Sequence, residues 1–252
     1  MNKTLFVYGD SHFQHNGQNG WVYQFIERCP QYQIVNSAKG GASLDWTENQ
    51  IAIRTPPEPY NNIGMVVLTH PRRLWITSVH LDPASHGNCS YQLRQMIKYQ
   101  RHAPRAQAQL DYLKKNKLEK SYQHVYDLTA DDEQRWTRDV RKTISSIDHL
   151  AANYEKFFVF FAFTDTLKCY KKIPHKNFHN ITVVDEFCFD SLYDVNDQEE
   201  NERYRHLPNH MSPDENYGFC VTLENALATG KFDYKMLHKY WRKNVYYSDN
   251  RE

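Results

Sequence analysis

Seven consecutive apolar residues, Phe157-Phe158-Val159-Phe160-Phe161-Ala162-Phe163, constrain this chain more than any other stretch. A run this short, with no polar interruption, reads as a strand covered on both faces. Residues 63–68 carry the same signal. Residues 4–8, 33–36 and 181–184 are three further strand candidates.

Between these runs the periodicity changes to that of a helix. Trp21, Phe25 and Cys29 lie one helical turn apart over residues 20–29. The middle of the chain, about 90–154, is helical in pattern. There a capping-box-like Thr129 and Asp132 precede one stripe of Trp136, Val140, Ile144, Ile147 and Ala151, read as core packing. Pro104 breaks or kinks the helix before it, and Pro56, Pro57 and Pro59 mark a loop. Ser212-Pro213-Asp214-Glu215 is a helix start with Ser as cap and Pro at the first helical position, and Phe219, Leu223 and Leu227 give that helix an apolar face. A last helix is expected over about 233–243. The polar, acidic stretch 190–205 reads as an excursion.

Strands alternating with helices predict an α/β fold whose mostly parallel sheet is covered on both sides. The expectation is one domain over 1–252, with a helical insertion at about 90–154 and a C-terminal helical extension at 231–252. In such folds ligands sit beyond the carboxyl ends of the strands.

Composition excludes several classes. Lys and Arg number 31 against 30 Asp and Glu, so there is no basic footprint for nucleic acid. No stretch approaches the roughly 18 apolar residues of a membrane span. The apolar run at 5–8 is too short for a signal-peptide core, so a cytoplasmic location is expected, with virion association also compatible. Five cysteines are scattered without a C-x-x-C pair, which predicts reduced thiols rather than a disulfide framework or zinc site. His206 and His210 have ligand spacing only on a helix, which Pro208 interrupts, so no metal and no cofactor are expected.

The chemistry gathers at strand ends. Gly9-Asp10-Ser11 follows the first strand. A serine hydroxyl needs a base to become a nucleophile, and a turn whose N–H groups face the developing oxyanion. Asn36-Ser37-Ala38-Lys39-Gly40-Gly41-Ala42-Ser43 follows the second strand, where a glycine N–H can serve that purpose. Thr69-His70-Pro71-Arg72-Arg73 ends the third. Asn209-His210-Met211 places a histidine just before the capped helix.

In these segments the sequence resembles the SGNH (GDSL-like) hydrolase superfamily, in particular divergent bacteriophage-type members. Val7-Tyr8-Gly9-Asp10-Ser11 matches its first block, residues 36–41 its second, and His210 through Asn216 its last. The resemblance implies a three-layer flavodoxin-like sandwich and a serine esterase acting on an acyl ester of a sugar, lipid or similar small group. It makes Ser11 the nucleophile and His210 the general base, with Gly40 or Gly41 in the oxyanion hole and Asp10 adjacent. Two departures stand out. Where the family has Gly-x-Asn-Asp, this chain has Thr69-His70-Pro71-Arg72, so Thr69, or else Arg72 or Arg73, is expected to supply the missing donor; His70 is a further binding candidate. Three residues before His210, where the family has Asp, stands Leu207. The imidazole then relies on a backbone carbonyl or on another carboxylate, such as Asp190 or Asp194. Two alternatives remain open at this stage: an acyltransferase using the same site, and a binding or virion structural protein with a weakened site. The expected partner is a small-molecule or glycan ester, with no nucleic acid and no membrane.

Overall fold

The computed structural model describes residues 3–14, 20–73, 94, 97–98, 103–129, 132–174, 177–189, 211 and 213–237. Five strands follow one another along the chain: β1 (Lys3–Gly9), β2 (Tyr32–Asn36), β3 (Asn62–Leu68), β4 (Lys156–Phe161) and β5 (Thr182–Val183). They form one sheet in the order β2-β1-β3-β4-β5, every pair parallel. This is the doubly wound, flavodoxin-like order. The chain leaves β1 toward one edge and returns across it to β3. The carboxyl ends of β1 and β3 therefore flank a switch point, where the connections diverge and open a crevice.

Helices cover both faces: α1 (Trp21–Arg28), α2 (Leu44–Arg54), α3 (Ala103–Lys115), α4 (Glu119–Thr129), α5 (Glu133–Leu150), α6 (Thr164–Lys171), α7 (Pro213–Thr229) and α8 (Tyr234–Leu237). Strand residues divide between the faces with period two. Leu5, Val7, Met65, Val67, Phe158 and Phe160 pack with Trp21 and Phe25 of α1 and Phe219 and Leu223 of α7. Tyr8, Val66, Leu68, Phe157, Val159 and Phe161 pack with Ile51 of α2, Val140, Ile144 and Ile147 of α5, and Leu167 of α6. Because both faces are dry, the inner strands carry no polar alternation, as the sequence predicts.

The helical middle divides in two. Helices α3 and α4 share a small cluster of their own, Ala106, Leu110, Leu113 and Tyr122. Helix α5 instead belongs to the sheet layers, through the apolar stripe that begins at Trp136. Its cap is Asp132, whose carboxylate accepts the Arg135 N–H at 2.9 Å, while Thr129 ends α4. Helix α2 has no counterpart in the sequence reading. Ser43 caps it through the Trp46 N–H at 3.1 Å. Its buried stripe, Leu44, Thr47 and Ile51, carries a hydroxyl in the middle, which weakens the apolar period. Cys29, Cys169, Cys188 and Cys220 are free and buried; Cys89 lies outside the described residues. So do residues 238–252 and the 190–205 excursion. Among the described residues no helix is long and apolar enough to cross a membrane.

Gly64 and Phe157 are register partners on β3 and β4. A Cβ on Gly64 would lie 2.2 Å from Phe157 Cδ2. The ring takes that space and stacks on Tyr8, with centroids 6.4 Å apart, while Tyr154 meets it edge-on at 5.0 Å. Gly64→Ala is expected to cost about 1–3 kcal/mol by overpacking, read by chemical denaturation. Adding Phe157→Leu should recover part of that loss, because both changes act on one contact. Strictly additive losses would mean that the ring does not fill the glycine's space.

Candidate active site

Gly9 ends β1 in a conformation reserved for glycine. Its φ is +117°, and a Cβ there would sit 2.3 Å from the Val67 carbonyl oxygen. The strand can therefore turn tightly against β3. The Phe13 N–H donates to the Asp10 carbonyl at 3.2 Å and closes the turn. Asp10 points into the protein and is fully buried, while Ser11 is half-buried at the turn.

The Asp10 carboxylate is surrounded by donors. Oδ1 accepts the His12 N–H at 3.0 Å and lies 2.9 Å from His12 Nδ1. Oδ2 accepts the Thr69 hydroxyl at 3.2 Å and Arg73 Nη1 at 3.2 Å. Burial alone would raise the pKa of this group. His12 and Arg73 reverse that and hold the carboxyl below the ordinary carboxylate range.

The loop after β2 is sewn to the same turn. Lys39 N–H donates to the Gly9 carbonyl at 2.9 Å, and Asn36 Nδ2 to the Phe13 carbonyl at 2.9 Å. Asn36 Oδ1 also accepts the Ala38 N–H at 2.9 Å. This brings Gly40 against Ser11: a Cβ on Gly40 would lie 3.6 Å from Ser11 Cβ and 2.9 Å from Gln14 Oε1. The Gly40 N–H belongs to no strand or helix ladder and donates to Gln14 Oε1 at 2.8 Å. Gly41 follows with φ +79°.

The turn after β3 is pinned from the opposite layer. Thr166 donates to the Thr69 carbonyl at 2.9 Å, and Arg135 Nη2 to the Pro71 carbonyl at 3.3 Å. His70 Nδ1 accepts the Arg72 N–H at 3.0 Å, so its proton is on Nε2, 3.1 Å from Asp165 Oδ2. Burial lowers the His70 pKa, although Asp165 opposes this, which keeps the ring neutral near pH 7. The ring sits between Trp136 and Phe163. Arg72 lies over Trp136, with Cζ 5.4 Å from the ring centre.

Asp10, Ser11, Gly40, Thr69 and Arg73 thus share the switch-point crevice. The Thr69 hydroxyl, expected from the sequence as an oxyanion donor, donates to Asp10 here and accepts from Arg73. His70 and Arg72 belong to a neighbouring group that fixes the turn. His210, Asp190, Asp194 and Leu207 lie outside the described residues. Met211 is described, and its carbonyl accepts from Asn216 Nδ2 at 3.1 Å. Two residues were missed in the sequence. His12 is buried against Phe163 and Phe189, and its signal was the Asp-x-His spacing within a turn. Gln14 had no signal, because only the folding back of the Gly40 loop gives it a partner. Among the described residues no group of three His, Cys, Asp or Glu is arranged to hold a metal ion.

The depressed pKa of Asp10 makes its contribution depend on pH in one direction. Its stabilisation is present in full above the unfolded carboxyl pKa of about 3.9 and is lost as pH falls below it. Asp10→Asn is expected to unfold at a lower temperature than wild type at pH 7, and the gap should narrow as pH falls through about 4. A gap that does not change with pH would show that the charge of Asp10 does not stabilise the fold.

No family model matches this chain, and no curated protein does. Among solved structures, the psychrotrophic esterase EstA from Pseudoalteromonas sp., inhibited by monoethylphosphonate, is similar over 91% of this chain and 98% of its own, at 8% identity and a TM-score of 0.38. Likeness at that level carries no argument about the site; the fold assignment rests on the strand order and register described above.

Proposed function

We propose that this chain is a serine hydrolase of the SGNH type that cleaves an acyl ester of a sugar, lipid or similar small group, with Ser11 as nucleophile. One observation carries the reading: Ser11 stands at the switch-point end of β1, and the Gly40 N–H beside it is satisfied only by a side-chain oxygen. A backbone donor placed so, outside any ladder, suits the oxygen of a tetrahedral intermediate.

In this reading His210 takes the Ser11 proton as Oγ attacks the ester carbonyl. The N–H groups of Ser11 and of Gly40 or Gly41 hold the oxyanion. Collapse expels the alcohol, which leaves with the proton from His210, and an acyl-Ser11 ester remains. Water, activated by the same histidine, releases the acid and restores Ser11. An alcohol in place of water makes the enzyme an acyltransferase by the same steps. Among the described residues Asp10 is engaged by His12, Thr69 and Arg73, and Asp165 by His70. The His210 imidazole is oriented by a backbone carbonyl or by a carboxylate such as Asp190 or Asp194. The Asp10–His12 pair supports a second assignment of the base, in which His12 replaces His210.

A fluorophosphonate probe should label Ser11, and Ser11→Ala should abolish labelling. Labelling of another serine, or none in folded protein, would overturn the hydrolase reading. His210→Ala is expected to slow labelling strongly; a strong loss in His12→Gln with little in His210→Ala would move the base to His12. Gln14 occupies the donor that the oxyanion needs, so Gln14→Ala should speed labelling. A neutral hydrogen bond is worth a net of about 1 kcal/mol, which sets the gain at about two- to tenfold. Slower labelling would show that Gln14 positions the loop rather than covering the donor.

A further inference from the structure

We propose that Arg73 recognises a fixed negative charge, a carboxylate or phosphate, carried by the substrate beside the scissile ester. That the charged molecule is an ester rests on the Ser11 reading; the anion site itself does not.

The position of Arg73 comes first. Its Nη1 meets Asp10 Oδ2 at 3.2 Å, the Ala42 carbonyl at 3.4 Å and Thr69 Oγ1. The guanidinium therefore joins the end of β1, the loop after β2 and the end of β3. The first two of these segments also hold Ser11 and Gly40.

Its orientation comes second. Cζ lies 5.0 Å from the centre of the Phe163 ring, so an aromatic face steadies the cation. All side-chain hydrogen bonds of Arg73 among the described residues leave from Nη1. A guanidinium has five N–H donors. The Nε and Nη2 edge, with three of them, meets no acceptor among the described residues. That edge is the fork which matches two oxygens of a carboxylate or phosphate.

Its charge comes third. The Arg73 side chain is 23% exposed, and Asp10, its counter-ion, is wholly buried. Asp10 also faces His12 at 2.9 Å. The carboxylate beside Arg73 is thus also engaged by His12, and part of the guanidinium reaches solvent. Desolvation strengthens a charge-assisted bond formed there. Arg72, by contrast, is drawn aside onto Trp136.

The test uses the whole chain, with inorganic phosphate and benzoate as probes in titration calorimetry at constant ionic strength. Wild type should bind at least one of them, and the preferred probe tells phosphate from carboxylate. Arg73→Lys keeps the charge beside Asp10 but lacks the fork, so binding should weaken by about tenfold or more. Unchanged binding in a folded Arg73→Lys overturns the proposal, as does wild type that binds neither probe. Should that variant fail to fold, phenylglyoxal modification of wild type replaces it. The preferred anion should protect Arg73, as mapped by peptide mass, and modification indifferent to both anions overturns the proposal. With p-nitrophenyl acetate and mono-p-nitrophenyl succinate as substrates, Arg73→Lys should raise KM for the acidic ester by about tenfold more than for the neutral one. An equal fall in kcat on both esters overturns charge recognition and makes Arg73 an oxyanion donor. Arg73-dependent anion binding without Ser11 labelling upholds the anion site and removes the hydrolase reading.

Discussion

One buried carboxylate organises the switch-point end of this protein. Asp10 has no exposure to solvent, and burying an unpaired carboxylate would be prohibitive. It is tolerated because donors come from its own turn, through His12, and from the end of β3, through Thr69 and Arg73. The same bonds that remove the penalty clamp two strand ends together across the switch point. Ser11 is the next residue, so its position follows from the needs of Asp10.

That clamp works only because the sheet beneath it is rigid. The inner strands are apolar on both faces, and bulky rings from several elements meet there. Phe13 packs against Trp21, Phe160, Phe189 and Phe219, with ring centres 5.5–5.6 Å apart. Phe13 lies two residues beyond Ser11, and through it the serine turn is anchored in the core. Glycine is needed at two points of this arrangement. Gly9 lets β1 turn against Val67, and Gly64 leaves room for the Phe157 ring. Both are close approaches of backbone that any side chain would block.

The two groups at the end of β3 have separate tasks. His70, Asp165, Arg72 and Trp136 fix the turn from the α5–α6 layer. Thr69 and Arg73 face the other way, into the Asp10 network. In sequence these five residues, 69–73, form one polar cluster after a strand, and nothing local tells which member turns inward. The direction is set by Thr166 and Arg135, which lie in helices, and by Phe163, which precedes α6, all more than 60 residues away in the chain.

The sequence by itself determined the layered α/β architecture, because apolar runs of strand length alternate with helical periods and only a sheet covered on both sides satisfies both. It also determined the turn at Gly9, Asp10 and Ser11 and the glycine pair after β2, since glycine is the residue type such turns require. It did not announce α2, whose buried stripe contains Thr47, nor separate α5 from the α3–α4 pair, since periodicity shows that a helix has an apolar face but not what that face meets. Tertiary structure alone decided that Asp10 faces inward, that Thr69 and Arg73 donate to it, that Gln14 reaches Gly40, and that Arg72 lies over Trp136 instead. Each of these depends on distances between segments far apart in the chain. Such distances are set by the strand order and by how the layers pack, and no local pattern of residues records them.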